Sequence, residues 1–512
     1  MRPLLLPGAA AGVLAGYLLI PGVRATPGLF WALAGASAGV LAWTGWLAVS
    51  RHRSGEPLEL DFLAIRPHWV QLLAQGTVLA WWGWFVPAVY EFAPFILAQL
   101  VLAVALEALF SWTRRGRHTL GFGPVPVVFS LNLFLWFHLD WFFFQLAMVV
   151  LVYVGKEFIQ WRVGGRSRHI FNPSAFALAV ASLALIATGT TGITLGVEIA
   201  QSQFVPPFIF LVIFLAALPG QLLFGVATMT MPAVLTIWGF SAAYFAVTGE
   251  YFFYDAYIPI AVFLGLHLLF TDPATSPRSE LGRVLFAVLY GSGVVVSVFL
   301  LNAVGAPPFY DKLLPVPILN LMAPMLDRAA AALAPRLGVA WAAAKSAVPT
   351  RRRVATVGLW AAVFATLSLT GALGDNHPGQ YYPFWRDACE AGSTRACDYT
   401  GVMQQSFCDR GSGWACNEFG ILMAETDRDF RGAAGEFDRA CRLGFAPGCA
   451  NLEMLATGDE RLIGDAGFAR GRPPAGELPI VLRGSKGPVT ERDPETLRVL
   501  GCERGWRELG CP

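Results

Sequence analysis

Apolar residues in this chain run in long, nearly unbroken blocks, and the blocks have the length of a bilayer crossing. Windows of roughly 18 to 22 residues, at roughly 20 residues per crossing, give about thirteen spans. They start near Leu4, Gly28, Trp69, Glu91, Pro124, Asp140, Pro173, Phe204, Ala227, Ala256, Arg283, Lys312 and Val354. The block near Lys312 is interrupted by Pro315, Pro317 and Pro324 and closed by Asp327 and Arg328, which predicts a re-entrant or half-helical segment buried in protein. Beyond residue 375 the blocks stop. The predicted fold class is all-α: a polytopic membrane helix bundle over 1–375 with about 12 to 13 spans, then a C-terminal domain over 376–512.

Composition agrees. Of 512 residues 55% are hydrophobic and 14% charged, whereas a soluble domain carries roughly 25% charged residues. The net charge of +2 gives no reason to expect nucleic acid as a partner. The distribution of charge says more. Alternate loops carry Arg51, Arg53 and Arg66; Arg114, Arg115 and Arg117; Lys156, Arg162, Arg166 and Arg168; Arg278; and Arg328, Arg336, Lys345 and Arg351 to Arg353. The intervening loops carry Glu91, Asp140, Glu198, Glu250, Asp255 and Asp311, opposed by Arg24 and Lys312. The positive-inside rule then predicts a multi-pass protein of the bacterial inner membrane, N-terminus cytoplasmic and the segment after Leu373 periplasmic.

Cysteine usage supports that topology. All eight cysteines follow residue 388, where an oxidising compartment favours disulfides. Three pairs share Cys-x-x-Gly-x-x-x-x-Cys: Cys389 with Cys397, Cys408 with Cys416, and Cys441 with Cys449; Cys502 and Cys511 are one residue further apart. A glycine three residues after the first cysteine ends a helix in a tight turn and lets the partner open the next one. Local disulfides are the simplest reading, and no metal site is expected, because zinc ligands prefer pairs two to four residues apart.

These segments resemble SEL-like repeats, relatives of the tetratricopeptide repeat, through Ala388-Cys389-x-x-Gly392, Trp414-Ala415-Cys416-Asn417-x-x-Gly420 and Ala440-Cys441-x-x-Gly444. The resemblance implies a stack of αα-hairpins that offers a surface to a periplasmic protein. Pro473, Pro474, Pro479, Pro488 and Pro494 interrupt the repeat pattern further on.

Two loops within the membrane region echo one another: Arg166-Ser167-Arg168-His169-Ile170-Phe171-Asn172-Pro173-Ser174, and His267-Leu268-Leu269-Phe270-Thr271-Asp272-Pro273-Ala274. Each ends in Asn or Asp followed by Pro, the pattern of a side-chain cap with Pro at the first helical position. First-turn amides at such a terminus favour an anion such as phosphate, and Arg168 and His169 add positive charge. With Gly155-Lys156-x-Phe158, Gly165 before the first loop, and Leu319-Asn320-x-x-x-Pro324-x-x-Asp327, the region over about 60–330 resembles the D subunit of the Rnf electron-transport complex and the B subunit of the sodium-translocating NADH:quinone oxidoreductase.

That resemblance implies a flavin, FMN or riboflavin, inside a membrane subunit that works with the other subunits of a redox complex and couples electron transfer to ion movement. Arg168, His169, Asn172, Pro173, Thr271, Asp272 and Pro273 would form the cofactor-binding set. The family's Ser-Gly-Ala-Thr loop, which takes FMN covalently, is absent, since Thr190-Thr191-Gly192-Ile193-Thr194 stands in its region; this favours non-covalent flavin. Glu107 and His267, ionisable groups within apolar runs, would belong to an ion path. No dinucleotide or Walker-type loop is present, so the chain would not be catalytic alone. The Trp81-Trp82-x-Trp84 run suits a membrane-interface belt. The alternative is a cofactor-free membrane scaffold that displays the repeat domain.

Overall fold

The structure is a computed structural model that describes residues 2–163, 166–336, 350–457, 467–486 and 489–511; Gly165, Lys345 and Pro488 lie outside the described residues. The chain divides into two compact units. One combines Met1–Gly239 with Ile260–Leu367, and the other combines Phe240–Pro259 with Ser368–Pro512.

Along the first unit run α1 (Leu5–Tyr17), α2 (Pro21–Ala25), α3 (Pro27–Ser54), α4 (Arg66–Phe85), α5 (Ala88–Arg115), α6 (Pro124–Asn132), α7 (Phe142–Phe158) and α8 (Pro173–Thr188). They are followed by α9 (Gly196–Ser202), α10 (Ile209–Phe224), α11 (Ala227–Thr248), α12 (Ile260–Leu268), α13 (Glu280–Ala303), α14 (Pro315–Leu333) and α15 (Thr350–Leu369). Among the described residues six helical stretches are long and apolar enough to cross a membrane: α3, α5, Leu139–Phe158, α11, α13 and Pro308–Leu333. Both α3 and α5 stop at a glycine in the left-handed region, Gly55 at φ 70° and Gly116 at φ 69°. Short strands follow them, β1 (Glu59–Phe62) and β2 (Arg117–Leu120), which pair in parallel. A hairpin of β3 (Gln160–Val163) and β4 (Arg166–His169) precedes α8.

Of the thirteen expected starting points six fall in the long apolar stretches and seven do not, and three segments show why the sequence reading and the structure differ. The one near Pro124 is a nine-residue helix, α6, about 13 Å long and so less than half of the roughly 30 Å hydrocarbon core. The chain then runs irregular but buried from Leu133 to Phe137. Its backbone groups find partners inside the protein, as bilayer-depth backbone must. Gln145 Oε1 accepts from the Phe137 N–H at 3.1 Å, the Gln203 side chain donates to the Leu133 carbonyl, and the Leu195 N–H donates to the Trp136 carbonyl at 2.8 Å. A reciprocal pair of amides, Gln99 and Asn132 at 3.1 and 2.9 Å, anchors the break.

The span near Ala256 is likewise interrupted, with α12 only nine residues long. No helix starts at Pro273; the chain turns until Ser279 caps α13. Pro277, four residues on, lacks the N–H a helix would need, and Asp272 accepts instead from the Ala274 N–H (3.1 Å) and the Thr275 hydroxyl (3.0 Å). The segment after Lys312, expected to be re-entrant or half-helical, is the continuous helix α14. Pro315 and Pro317 fall in its first turn, where a missing N–H costs nothing, leaving only Pro324 inside. Of the tryptophan run, Trp84 is exposed as expected, but Trp82 is buried against Trp136.

The second unit contains α16 (Tyr382–Glu390), α17 (Thr394–Asp409), α18 (Gly413–Leu422), α19 (Phe430–Arg442), α20 (Ala446–Ala456), α21 (Leu478–Val481) and α22 (Pro494–Glu503). All four expected disulfides are present, with Cα–Cα distances of 4.6, 4.7, 4.6 and 5.4 Å. Gly392, Gly411 and Gly444 adopt φ of 99°, 98° and 86°, which is the turn the motif requires. Trp385, Trp414 and Trp506 are fully buried in its core. The unit also takes in the end of α11 from Phe240 and the segment that follows it to Pro259. Arg395 reaches Glu250 at 3.1 Å and the carbonyls of Tyr251 and Phe252 at 2.9 and 2.7 Å, and its guanidinium lies 4.1 Å from the Tyr254 ring.

Candidate functional site

The four motif stretches of the membrane unit converge. Asn172 caps α8, its Oδ1 accepting from the Ala175 N–H at 3.2 Å and the Ser174 hydroxyl at 2.9 Å. Its side-chain amide donates to the Leu269 carbonyl at 2.8 Å, on the other loop. Asn320 on α14 joins the two loops again: Oδ1 accepts from the Asn172 N–H at 3.0 Å and Nδ2 donates to the Thr275 carbonyl at 3.3 Å. Asp327, two turns along the same face, accepts from the N–H groups of Arg278 and Ser279 and from the Ser279 hydroxyl, at 3.0, 2.9 and 2.6 Å. A Cβ at Gly155 would lie 2.7 Å from the Phe176 ring, so glycine lets α7 close on α8 and brings Lys156 to the site.

Between the loops lies a cavity of about 420 Å³. His169, Asn172, Pro173, His267, Thr271, Asp272 and Pro273 all line it, as does Lys156. Arg168 is exposed and lies outside the lining. Glu107 reaches the site only through Lys156, whose Nζ sits 2.6 Å from Glu107 Oε1. Burial pushes the His169 imidazole below its ordinary pKa, with the Asp272 carboxylate opposing the shift.

Sequence reasoning missed two buried amides that line the cavity. Gln75 on α4 and Gln221 on α10 each anchor their amide nitrogen, on Ser130 and Thr230 respectively, both at 2.8 Å. Each leaves Oε1 buried with no partner among the described residues. The His267 Nδ1 lies 2.8 Å from the Phe263 carbonyl, which can only accept, so Nδ1 carries the proton and the unpartnered Nε2 presents a lone pair. Three residues that line the cavity thus carry a buried acceptor with no partner among the described residues, at a cost of roughly 1 to 3 kcal/mol each if left unmet. Lone glutamines in apolar runs were the available signal.

The two loops differ at their ends: no helix follows Pro273, where Asp272 takes its own loop's donors, whereas α8 follows Asn172-Pro173 and the Asn172 side chain takes the Ala175 amide. What the arrangement can hold is a ligand rich in N–H or O–H donors. Beside the cavity the Thr228 hydroxyl donates to the Gly225 carbonyl at 3.2 Å and the Thr230 hydroxyl accepts from the Gln221 amide at 2.8 Å.

Comparison with known protein families, with characterised proteins and with solved structures found no match, so the resemblance to the Rnf and NADH:quinone oxidoreductase subunits rests on the motif residues themselves.

Proposed function

We propose that this chain is the membrane subunit of an ion-translocating electron-transport system of the Rnf and NADH:quinone oxidoreductase type, holding FMN or riboflavin non-covalently between the two loops. The observation that carries the reading is the cavity lined by three of the four motif stretches, whose lining residues Gln75, Gln221 and His267 each carry a buried acceptor with no partner among the described residues. Its volume falls within the roughly 300 to 1,000 Å³ of small-molecule sites. A bound flavin would supply one- and two-electron transfer. The chain's own part is to bind and orient it: Gln75 Oε1, Gln221 Oε1 and His267 Nε2 accept from ligand donors, Asn320 fixes the spacing of the loops, and Glu107 holds the Lys156 charge at the edge. Other subunits bring the electron donor. In this reading the arginine-rich loops face the cytoplasm, and the disulfide unit meets a periplasmic protein through its SEL-like hairpins.

Protein purified from native membranes is expected to show flavin absorbance that stays in the supernatant after acid precipitation. Flavin in the pellet would mean covalent attachment. Folded protein without flavin would contradict the reading and favour the cofactor-free scaffold.

A further inference from the structure

The disulfide unit holds one stretch of its own chain in the manner of a bound peptide. Over residues 467–473 the backbone has no regular structure, and among the described residues its N–H and C=O groups make no bond to other backbone. Pro473 and Pro474 keep the stretch out of a helix. A strand of the fold would be laddered to a neighbour, but here side chains of the hairpins do the holding. Asn451 on α20 accepts from the Ala469 N–H at 2.7 Å and donates to the Ala469 carbonyl at 2.9 Å. Asn417 on α18 donates to the same carbonyl at 3.1 Å and accepts from Asn451 at 2.8 Å, and the Trp414 indole donates to the Gly471 carbonyl at 3.1 Å. Both asparagines are fully buried. Buried amides need partners, so the pair is built to have a peptide group in front of it.

The side chains around this backbone clamp select what it takes. The Phe468 ring lies 5.5 Å from Phe437 on α19 and packs against the apolar cluster around it. Arg470 pairs with Glu418 at 2.6 Å and with Glu425 at 2.9 Å. A Cβ at Gly471 would stand 2.8 Å from the Phe445 ring, so only glycine lets the backbone come this close. Ala469 is read through its N–H and carbonyl. The stretch is also shallowly seated, with Phe468 half-buried and Arg470 exposed. Further on the chain belongs to the fold proper: Glu477 accepts from the Ser412 hydroxyl at 2.6 Å and the Trp414 N–H at 3.1 Å, and Leu478, Val481 and Leu482 are buried in the core.

We propose that the surface formed by α18, α19 and α20 is a binding site for an extended peptide of the pattern Phe-x-Arg-Gly, which the chain's own residues 467–471 occupy, and that a partner protein carrying this pattern binds by displacing them. The proposal goes beyond the redox reading and needs neither flavin nor a particular side of the membrane. An incoming segment repeats the contacts it replaces, so the core anchored by Leu478 and Leu482 is left in place. A segment tethered in the same chain competes at high effective concentration, which closes the site to weak peptides.

The test uses the oxidised full chain in lipid nanodiscs and a labelled peptide of residues 467–473, Gly-Phe-Ala-Arg-Gly-Arg-Pro, followed by fluorescence anisotropy. The variant Phe468→Ala/Arg470→Ala, which releases the chain's own segment, should bind the peptide at least roughly tenfold more tightly than the unaltered protein. Adding Asn451→Leu to that variant, or replacing the arginine of the peptide by glutamate, should each weaken binding roughly tenfold or more. Near-ultraviolet dichroism checks that each variant is folded, and Ala469→Pro, which removes the N–H that Asn451 accepts, takes the place of the double variant if that one is not. A folded, released variant that takes no peptide, equal binding by the unaltered protein, or binding indifferent to the arginine would overturn the proposal. Failure of both releasing variants to fold would make the segment part of the core and overturn it as well. Unaltered protein that is dimeric and separates when peptide is added would assign the site to a second copy of this chain and overturn the partner. Flavin absorbance of the same samples keeps the two ideas apart: peptide binding by flavin-free protein defeats the redox reading alone, and flavin-loaded protein without a peptide site defeats this proposal alone.

Discussion

Reduction of the four disulfides should unfold the second unit and leave the membrane helices intact. A bridge that closes a short loop contributes roughly 2 to 4 kcal/mol, and losing four of them is comparable with the roughly 5 to 15 kcal/mol that holds a whole domain folded. The membrane unit supplies an internal control, because no cysteine precedes Cys389. Near-ultraviolet dichroism from the buried Trp385, Trp414 and Trp506 should collapse on reduction, while most far-ultraviolet helical signal remains. The double variant Cys408→Ala/Cys416→Ala should lose the contribution of one bridge, since both sulfurs are fully buried and alanine fits the space. A native-like tryptophan spectrum in the fully reduced protein would show that the hairpins stand without their staples.

The second large effect should come from Asn320→Leu. This residue alone hydrogen-bonds both loops from α14, and the change would leave the Asn172 N–H and the Thr275 carbonyl without partners in a buried site. Two orphaned groups cost roughly 2 to 6 kcal/mol together, and the loops would no longer be held at the cavity. We expect a melting temperature lower by several degrees and loss of bound flavin from the protein that remains folded. Asn320→Asp, which keeps the acceptor for Asn172 but loses the donor to Thr275, should fall between the two. Unchanged stability and flavin content in Asn320→Leu would remove Asn320 from the account.

Much of this was legible in the sequence because local chemistry dictated it. The cysteine pairs were fixed by a repeated spacing with a glycine at the turn, and Asn172-Pro173 opens α8 as its cap chemistry requires. What stayed hidden depends on partners distant in sequence. The breaks after α6 and α12 sit in apolar runs indistinguishable from full spans, and they are stable only because side chains such as Gln145 and Asn172 reach their backbone from elsewhere. Asp272-Pro273 echoes Asn172-Pro173, yet Pro277 stops a helix from forming. The site residues on the loops were recognisable through their motifs, with the exposed Arg168 as the exception. Gln75 and Gln221 were not, since a single glutamine in a span gives no sign of what it faces. Asp311 and Lys312 looked like loop charges until the fold buried them.

The most direct test of the central claim, that the two loops enclose a donor-rich ligand, is an experimental density map of the protein purified with its native ligand. The account predicts non-protein density in the cavity, flavin in shape and within hydrogen-bonding distance of Gln75 Oε1, Gln221 Oε1 and His267 Nε2. Flavin bound elsewhere in the chain, or a cavity closed by protein side chains that satisfy those three atoms, would contradict it.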